Sequence, residues 1–244
     1  MKYYVDSKIL ESDKPLSLRE IFDKLEFGTD VLGAEINGEI KDFYFNPADE
    51  SKIYPIFLGN EKSLTLIRHS TAHILAQAVQ SIYPDTKVTI GPVIEDGFYY
   101  DFYTDRNFTE DDLKLFENKM HEILEKNVSF EKEVINKEKA LDIFSNLGET
   151  FKKEIINDLD ESQEISLYKQ GDWFDLCRGP HLPNSTFIKS FKLLSVAGSY
   201  WRGDETRESL QRIYGTAFSS SKDLKKHLKI LEEAEKRDHR KLGK

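Results

Sequence analysis

Two short stretches combine side chains capable of proton, metal or nucleophile chemistry. RHSTAH sets His69 and His73 four apart, and DLCRGPH sets Cys177 and His181 four apart. If the first stretch is helical, positions i and i+4 share a face with roughly 5–6 Å between Cβ atoms, so both imidazoles can converge on one point. That point can hold a metal, a water or a substrate. Alone, an HxxxH pair is weak evidence, and a lone cysteine often serves as a small buried hydrophobe. Joined to the chain's one cysteine and a third histidine behind a Gly-Pro corner, the pair becomes a four-donor set of the N and S type that zinc prefers. Two chemistries stay open. The four groups can close on zinc, or three can hold it beside an activated water. Without metal, the same groups can bind substrate and position a hydrolytic water, histidine acting as acid or base near neutral pH. Asp175 and Arg178 crowd the same turn-rich loop, where functional groups concentrate.

The elements that must position these groups are partly legible. RHSTAH lies inside SLTLIRHSTAHILAQAVQSIYP, whose Ala72, Leu75, Ala76, Val79 and Ile82 keep the helical period and whose Pro84 stops it. KVTIGPVIEDGFYYDF predicts two strands joined around Asp96-Gly97. Thr109 caps a helix with Leu113, Phe116, Met120 and Ile123 on one face, and a third helical stretch spans Lys137 to Leu147 before Gly148. From Gln163 to Phe218 the chain is strand-rich, with GDWFDLCRGPHLP and FKLLSVAGSYW separated by turn formers. Ahead of all this, the first sixty residues read as strand, helix, hairpin. KYYVDSKIL partly alternates; Ser17 and Glu20 form a capping box before Leu18, Ile21, Phe22 and Leu25, with Gly28 as the stop; Asn37-Gly38 marks a two-residue hairpin. Gly59 to Lys62 is the natural boundary, and the predicted fold class is α+β, helices on a largely antiparallel sheet.

Composition excludes several classes. With 244 residues the chain makes one large domain or two unequal ones, and 39% hydrophobic with 32% charged residues fits a globular protein. No apolar run reaches the ~18–20 residues needed to span a bilayer, and the opening Met1-Lys2-Tyr3-Tyr4 lacks a signal-peptide core, so no membrane is expected and a cytoplasmic location is. A single cysteine excludes an internal disulfide framework. The net charge of −9 argues against a generic nucleic-acid coat, although one basic patch suffices to bind phosphates. Such a patch exists from Ser221 to Lys244, where nine basic residues, Arg240, Lys241 and Lys244 among them, face five acidic ones for a local net of about +4.

IRHSTAH, IGPVIEDGFYYDF, DLCRGPHLPN, VAGSYWRGD and LQRIYGTAF, in this order and spacing, closely resemble the N-terminal part of the bacterial threonyl-tRNA synthetase family. The resemblance runs along nearly the whole chain. It implies a TGS domain of the ubiquitin-like β-grasp kind over residues 1–60 and a tRNA editing domain over 61–220. Residues 221–244 would form a linker helix toward a class II catalytic domain absent from this sequence. The implied activity is proofreading: hydrolysis of the ester of mischarged seryl-tRNA(Thr), within an enzyme that attaches threonine to tRNA(Thr) using ATP. Such editing is needed because a synthetic site rejects a smaller, similar amino acid by only a modest factor, whereas a second tight site excludes the larger one. Matched residue by residue, the resemblance places His69, His73, Cys177 and His181 in the pocket. Asp175 stands at a carboxylate tied to hydrolysis, Lys152 of GETFKKEII at a family lysine, and Gly91 and Tyr100 near the adenosine and amino-acid pocket. Side-chain chemistry then suggests His73 as base, Lys152 for charge stabilisation, Asp175 to orient a donor or second water, and Arg178 among the substrate-binding groups.

The HxxxH and CxxxH pair is shared with the alanyl-tRNA synthetase editing family, where zinc is associated with the site, but the threonyl resemblance implies a metal-free pocket. ATP, magnesium and zinc are then expected only of the catalytic domain, as is homodimerisation, and the expected partner is the 3′ end of tRNA(Thr). Two rivals remain. One is a free-standing trans-editing hydrolase. The other is a non-catalytic RNA-binding module in which the basic helix and Arg178, Arg202, Arg207 and Arg212 do the work, with Tyr200 and Trp201 either stacking on bases or packing the sheet.

Overall fold

A computed structural model describes residues 1–242. The chain opens with strands β1 (Lys2–Val5) and β2 (Lys8–Glu11), helix α1 (Leu18–Lys24), a hairpin of β3 (Val31–Ile36) and β4 (Glu39–Lys41), and β5 (Lys52–Phe57). These strands form one sheet in the order β2-β1-β5-β3-β4, with β1 and β5 parallel at its centre. This is the β-grasp order, one helix held against a mixed sheet. The capping box is present: Ser17 Oγ accepts from the Glu20 N–H, and Glu20 accepts from the Ser17 N–H. Leu18, Ile21 and Phe22 pack with Tyr3, Val5, Val31, Ala34, Ile36 and Ile53. Asn37 and Gly38 both take positive φ in the β3–β4 turn, as that turn demands. The helix stop differs from expectation. Leu25 caps α1, and Glu26 rather than Gly28 adopts the left-handed conformation, at φ 54°. The Phe27 N–H reaches back to Phe22 O (3.0 Å) while the two rings pack edge to face, so an apolar contact compensates the strain at Glu26.

The remainder comprises α2 (Ser63–Ile82), β6 (Lys87–Val88), β7 (Val93–Ile94), β8 (Gly97–Tyr103), α3 (Glu110–Leu124), β9 (Phe130–Ile135), α4 (Lys137–Asn146), α5 (Thr150–Asp158), β10 (Ile165–Gln170), β11 (Trp173–Leu176), β12 (Ser190–Tyr200), β13 (Ser209–Phe218) and α6 (Ser221–Leu242). One antiparallel sheet runs β12-β13-β8-β6 with β7 hairpinned onto β8; a second runs β11-β10-β9. The predicted α+β class is observed. Helix α2 is buried on nearly every side, which suits a helix whose apolar residues are not confined to one stripe. Asp96 takes positive φ in the β7–β8 turn. Gly97 is required for a different reason, since a Cβ there would lie 2.3 Å from Gly215 O.

Two elements depart from the sequence reading. Strand β9 reads poorly because its burial does not alternate, only Phe130 and Ile135 being buried. Helix α5 follows α4 after three connecting residues, Gly148 carrying the reversal at φ 66°, and it has no side-chain N-cap to announce it. Its Phe151 and Ile156 are buried, and Trp201 packs on Phe151. The charged terminal helix forms as α6; Gly243 and Lys244 lie outside the described residues, as do the side chains of Arg240 and Lys241.

Candidate active site

His69 and His73 stand one turn apart on α2, their ring centroids 5.2 Å apart and nearly perpendicular. The loop leaving β11 folds over them. Gly179 takes φ 77° there, and the reversal lays His181 on His69 (centroids 4.2 Å, interplanar 22°) and beside His73 at 4.2 Å. Phe130 from β9 stacks on the other face of His181 at 5.3 Å.

The hydrogen bonds among these groups form a chain whose direction is set by its ends. His69 Nδ1 lies 3.0 Å from Pro180 O, which only accepts, so Nδ1 carries the proton and Nε2 keeps its lone pair. At the other end the Leu182 N–H donates to Ser70 Oγ (2.9 Å), and Ser70 Oγ lies 3.1 Å from His181 Nδ1. Ser70 then donates to His181 Nδ1, His181 Nε2–H donates to Cys177 Sγ (3.3 Å), and the Cys177 thiol donates to His69 Nε2 (3.4 Å). Every proton in this chain is used once. Its protonation states agree with the surroundings: burial pushes the Cys177 thiol up to about 12 and lowers His69 and His181, so thiol and imidazoles are neutral at pH 7.

His73 stands outside this chain. It is buried, its Nδ1 has no hydrogen-bond partner among the described residues, and burial, followed by His69 and the Lys152 charge, holds it well below the usual imidazole range. It is therefore a neutral imidazole, and no hydrogen bond at Nδ1 fixes which ring nitrogen carries the proton.

A second cluster faces the first across a cavity of about 420 Å³. Asp175 on β11 pairs its Oδ1 with the Lys152 ammonium of α5 (2.7 Å) and accepts the Tyr100 hydroxyl of β8 on Oδ2 (2.5 Å). The ion pair is almost fully enclosed, with side-chain exposures of 3% and 2%. Burial and the adjacent Asp175 charge raise Tyr100 well above the ordinary phenol value, so it remains a donor.

Of the nine residues the sequence singles out, His69, His73, Gly91, Lys152, Asp175, Cys177 and Arg178 line the cavity. Tyr100 and His181 lie behind this lining and support it. Gly91 has a steric reason to be glycine, since a Cβ would sit 2.2 Å from Tyr100 Cδ2. Arg178 is exposed at the rim with no ion pair among the described residues. By contrast, Arg212 is bidentate on Asp101, Arg207 on Glu154, and Arg202 bonds Asp158. Trp201 is buried with its indole N–H on Glu154, while Tyr200 is 42% exposed. The sequence reading misses Asp42 and Tyr168, which hold His181 from behind; no motif marks either, and only the folded chain joins them.

The donor atoms of His69, His73, Cys177 and His181 all lie within 4.8 Å of one another, and their N and S types fit zinc. Binding it would displace the thiol proton and reset the histidine tautomers.

Comparison with known proteins places residues 165–214 in the "Threonyl and Alanyl tRNA synthetase second additional domain" family, a span that includes Asp175, Cys177 and His181. Beyond that domain, the threonine–tRNA ligase of Legionella pneumophila (strain Corby) is 47% identical over 98% of this chain and 38% of its own length. The ligases of Wolbachia pipientis (49% identity, 88% of this chain, 34% of the relative) and Rickettsia bellii strain OSU 85-389 (50%, 86% and 33%) match similarly. The chain is thus homologous to threonine–tRNA ligases along nearly its whole length and spans about a third of theirs. No described helix is long and apolar enough to cross a membrane.

Proposed function

We propose that the chain is the proofreading part of a threonine–tRNA ligase, which hydrolyses the ester of mischarged seryl-tRNA(Thr) in the cavity between α2, α5 and β11. In this reading residues 1–60 are the TGS domain, 61–220 the editing domain and 221–244 a linker helix, the protein works in the cytoplasm, and attachment of threonine with ATP belongs to the whole ligase. The observation that carries it is the pairing of a neutral, unpartnered His73 with the Lys152–Asp175–Tyr100 cluster around one cavity.

The 3′-terminal adenosine of the tRNA enters past Arg178 and Gly91 with its seryl group toward His69 and Cys177. His73 accepts a proton as water attacks the ester carbonyl. The developing oxyanion is stabilised by the Lys152 ammonium, which Asp175 holds in place with no reorganisation at the moment of reaction. Collapse breaks the carbon–oxygen bond to the ribose, whose oxygen takes the proton back from His73, leaving serine and free tRNA. The hydrogen-bonded chain through His69, Cys177 and His181 keeps the opposite wall fixed. Zinc, if held by His69, Cys177 and His181 with His73 left free, would supply Lewis acidity at its remaining position. The paired state of Arg202, Arg207 and Arg212 speaks against an RNA-binding module built on those arginines. Deacylation of seryl-tRNA(Thr) against threonyl-tRNA(Thr) by this chain is the test. His73→Ala and Lys152→Ala are each expected to lower the seryl rate by about 10²–10⁴-fold. Unchanged rates in both would overturn the assignment.

A further inference from the structure

Asp42 follows β4 in the N-terminal sheet, yet its carboxylate bonds to residues of β10 and of the loop after β11. Oδ2 accepts from the Tyr168 hydroxyl (2.6 Å) and from the backbone N–H of His181 (3.1 Å), while Oδ1 accepts from the Tyr44 N–H (3.1 Å). The group is buried and no cation pairs with it among the described residues. Burying a carboxylate is costly unless it is hydrogen-bonded, and charge-assisted bonds of this kind are about twice as strong as neutral ones.

What they hold is the back of the site. Tyr168 packs its ring 4.5 Å from the His181 imidazole, and Tyr44 donates its hydroxyl to Phe130 O (3.1 Å), the residue stacked on His181. The loop passes directly over this brace: a Cβ on Gly179 would lie 2.4 Å from the Tyr168 hydroxyl oxygen and 2.8 Å from Asp42 Oδ2. His181 in turn holds the Cys177 thiol, which holds His69. Asp42 does not line the cavity, so it touches no substrate.

We infer that Asp42 is a positioning residue through which the N-terminal domain sets the placement of the Cys177–His181 loop, making hydrolysis depend on the docking of that domain. This rests on the cavity being the hydrolytic site proposed above, and the test separates the two ideas. In the full chain, Asp42→Ala should lower kcat for seryl-tRNA roughly 10–100-fold, the scale of a 1 Å misplacement, with KM nearly unchanged. Tyr168→Phe, which keeps the ring and folds even where Asp42→Ala does not, should reproduce part of the loss, and the double variant should lose no more than Asp42→Ala. Side-chain 15N resonances of His181 and His69 should move in both variants and stay put in Asp23→Ala, an exposed control on α1. A wild-type kcat in Tyr168→Phe, unmoved His181 resonances, or a kcat loss that vanishes on cooling by the drop in melting temperature would overturn the inference. If the unmodified chain does not deacylate seryl-tRNA, the proposed reaction fails, and the imidazole resonances still decide whether Asp42 sets the loop.

Discussion

Removing one partner of the Lys152–Asp175 pair should cost far more stability than removing both. At 2.7 Å the attraction is about 6 kcal/mol for an effective dielectric constant of about 20. The desolvation of two ions exposed by only 3% and 2% cancels much of it, so the intact pair contributes little net stability. Take one charge away and the cancellation fails. Lys152→Met leaves Asp175 buried with only Tyr100 to satisfy it, and Asp175→Asn leaves a buried ammonium whose remaining neighbour is the Tyr100 hydroxyl at 3.5 Å. Each single variant should therefore lose about 3–5 kcal/mol. At roughly 2–4 °C per kcal/mol for a chain of this size, the melting temperature falls by about 6–20 °C. The double variant Lys152→Met/Asp175→Asn removes both ions, keeps an acceptor for Tyr100, and should recover most of that loss. Thermal and urea unfolding of the four proteins gives the coupling energy directly. Deacylation should be lost in all three variants, because the cation for the oxyanion is absent or misplaced. A double variant no more stable than the singles would refute the balance described here, and one that recovers activity along with stability would refute a catalytic role for Lys152.

Three further outcomes follow from the geometry. Gly91→Ala drives a Cβ into Tyr100 and should cost about 1–3 kcal/mol in urea unfolding while displacing the hydroxyl from Asp175; a variant with wild-type stability would show that the wall yields freely. His69, His73 and His181 are held below the usual imidazole value by burial, so the unfolded chain binds more protons than the folded one once pH drops below ~6.5. Stability is fully present above that value and falls as pH descends toward the folded values, by about 1.4 kcal/mol per pH unit for each histidine that titrates; unfolding midpoints that do not change between pH 7.5 and 5.5 would contradict neutral buried imidazoles. Arg178→Ala should weaken tRNA binding while reducing the slope of log K against log salt by about one, whereas an unchanged slope would remove Arg178 from phosphate contact.

How far the sequence discloses this arrangement depends on whether a feature is local. Capping at Ser17 and Thr109, the Asn37-Gly38 turn and the long period of α2 are written within a few residues, and each appears in the fold. Helix α5 is not legible, because nine residues after a glycine reversal, with no capping side chain, leave too little periodicity to separate it from α4. Strand β5 contains Pro55, which argues against a central strand. It is central nonetheless, because its parallel pairing with β1 ends at Ile53 and the missing N–H costs that ladder no bond. At the site, the four N and S donors are legible from their spacing, and family resemblance selects Lys152 and Asp175. Composition cannot place Tyr100 and His181 behind the cavity wall or bring Asp42 to the back of the loop, since those relations join residues 75 to 139 positions apart.

The two clusters also depend on each other electrostatically. A base at neutral pH must be unprotonated, whereas a stabiliser of the oxyanion must be charged, and both must work within one cavity of about 420 Å³. Burial supplies the first condition for His73, and the Lys152 charge adds to it, since a nearby cation disfavours a second one. The carboxylate of Asp175 then serves both sides. It balances the Lys152 charge within the protein in an enclosed ion pair, bonded to Lys152 and Tyr100 rather than to His73. A carboxylate bonded directly to His73 would favour the imidazolium and remove the base. Placing the acidic partner on the lysine rather than on the histidine is what lets one small cavity hold a neutral base and a cation together.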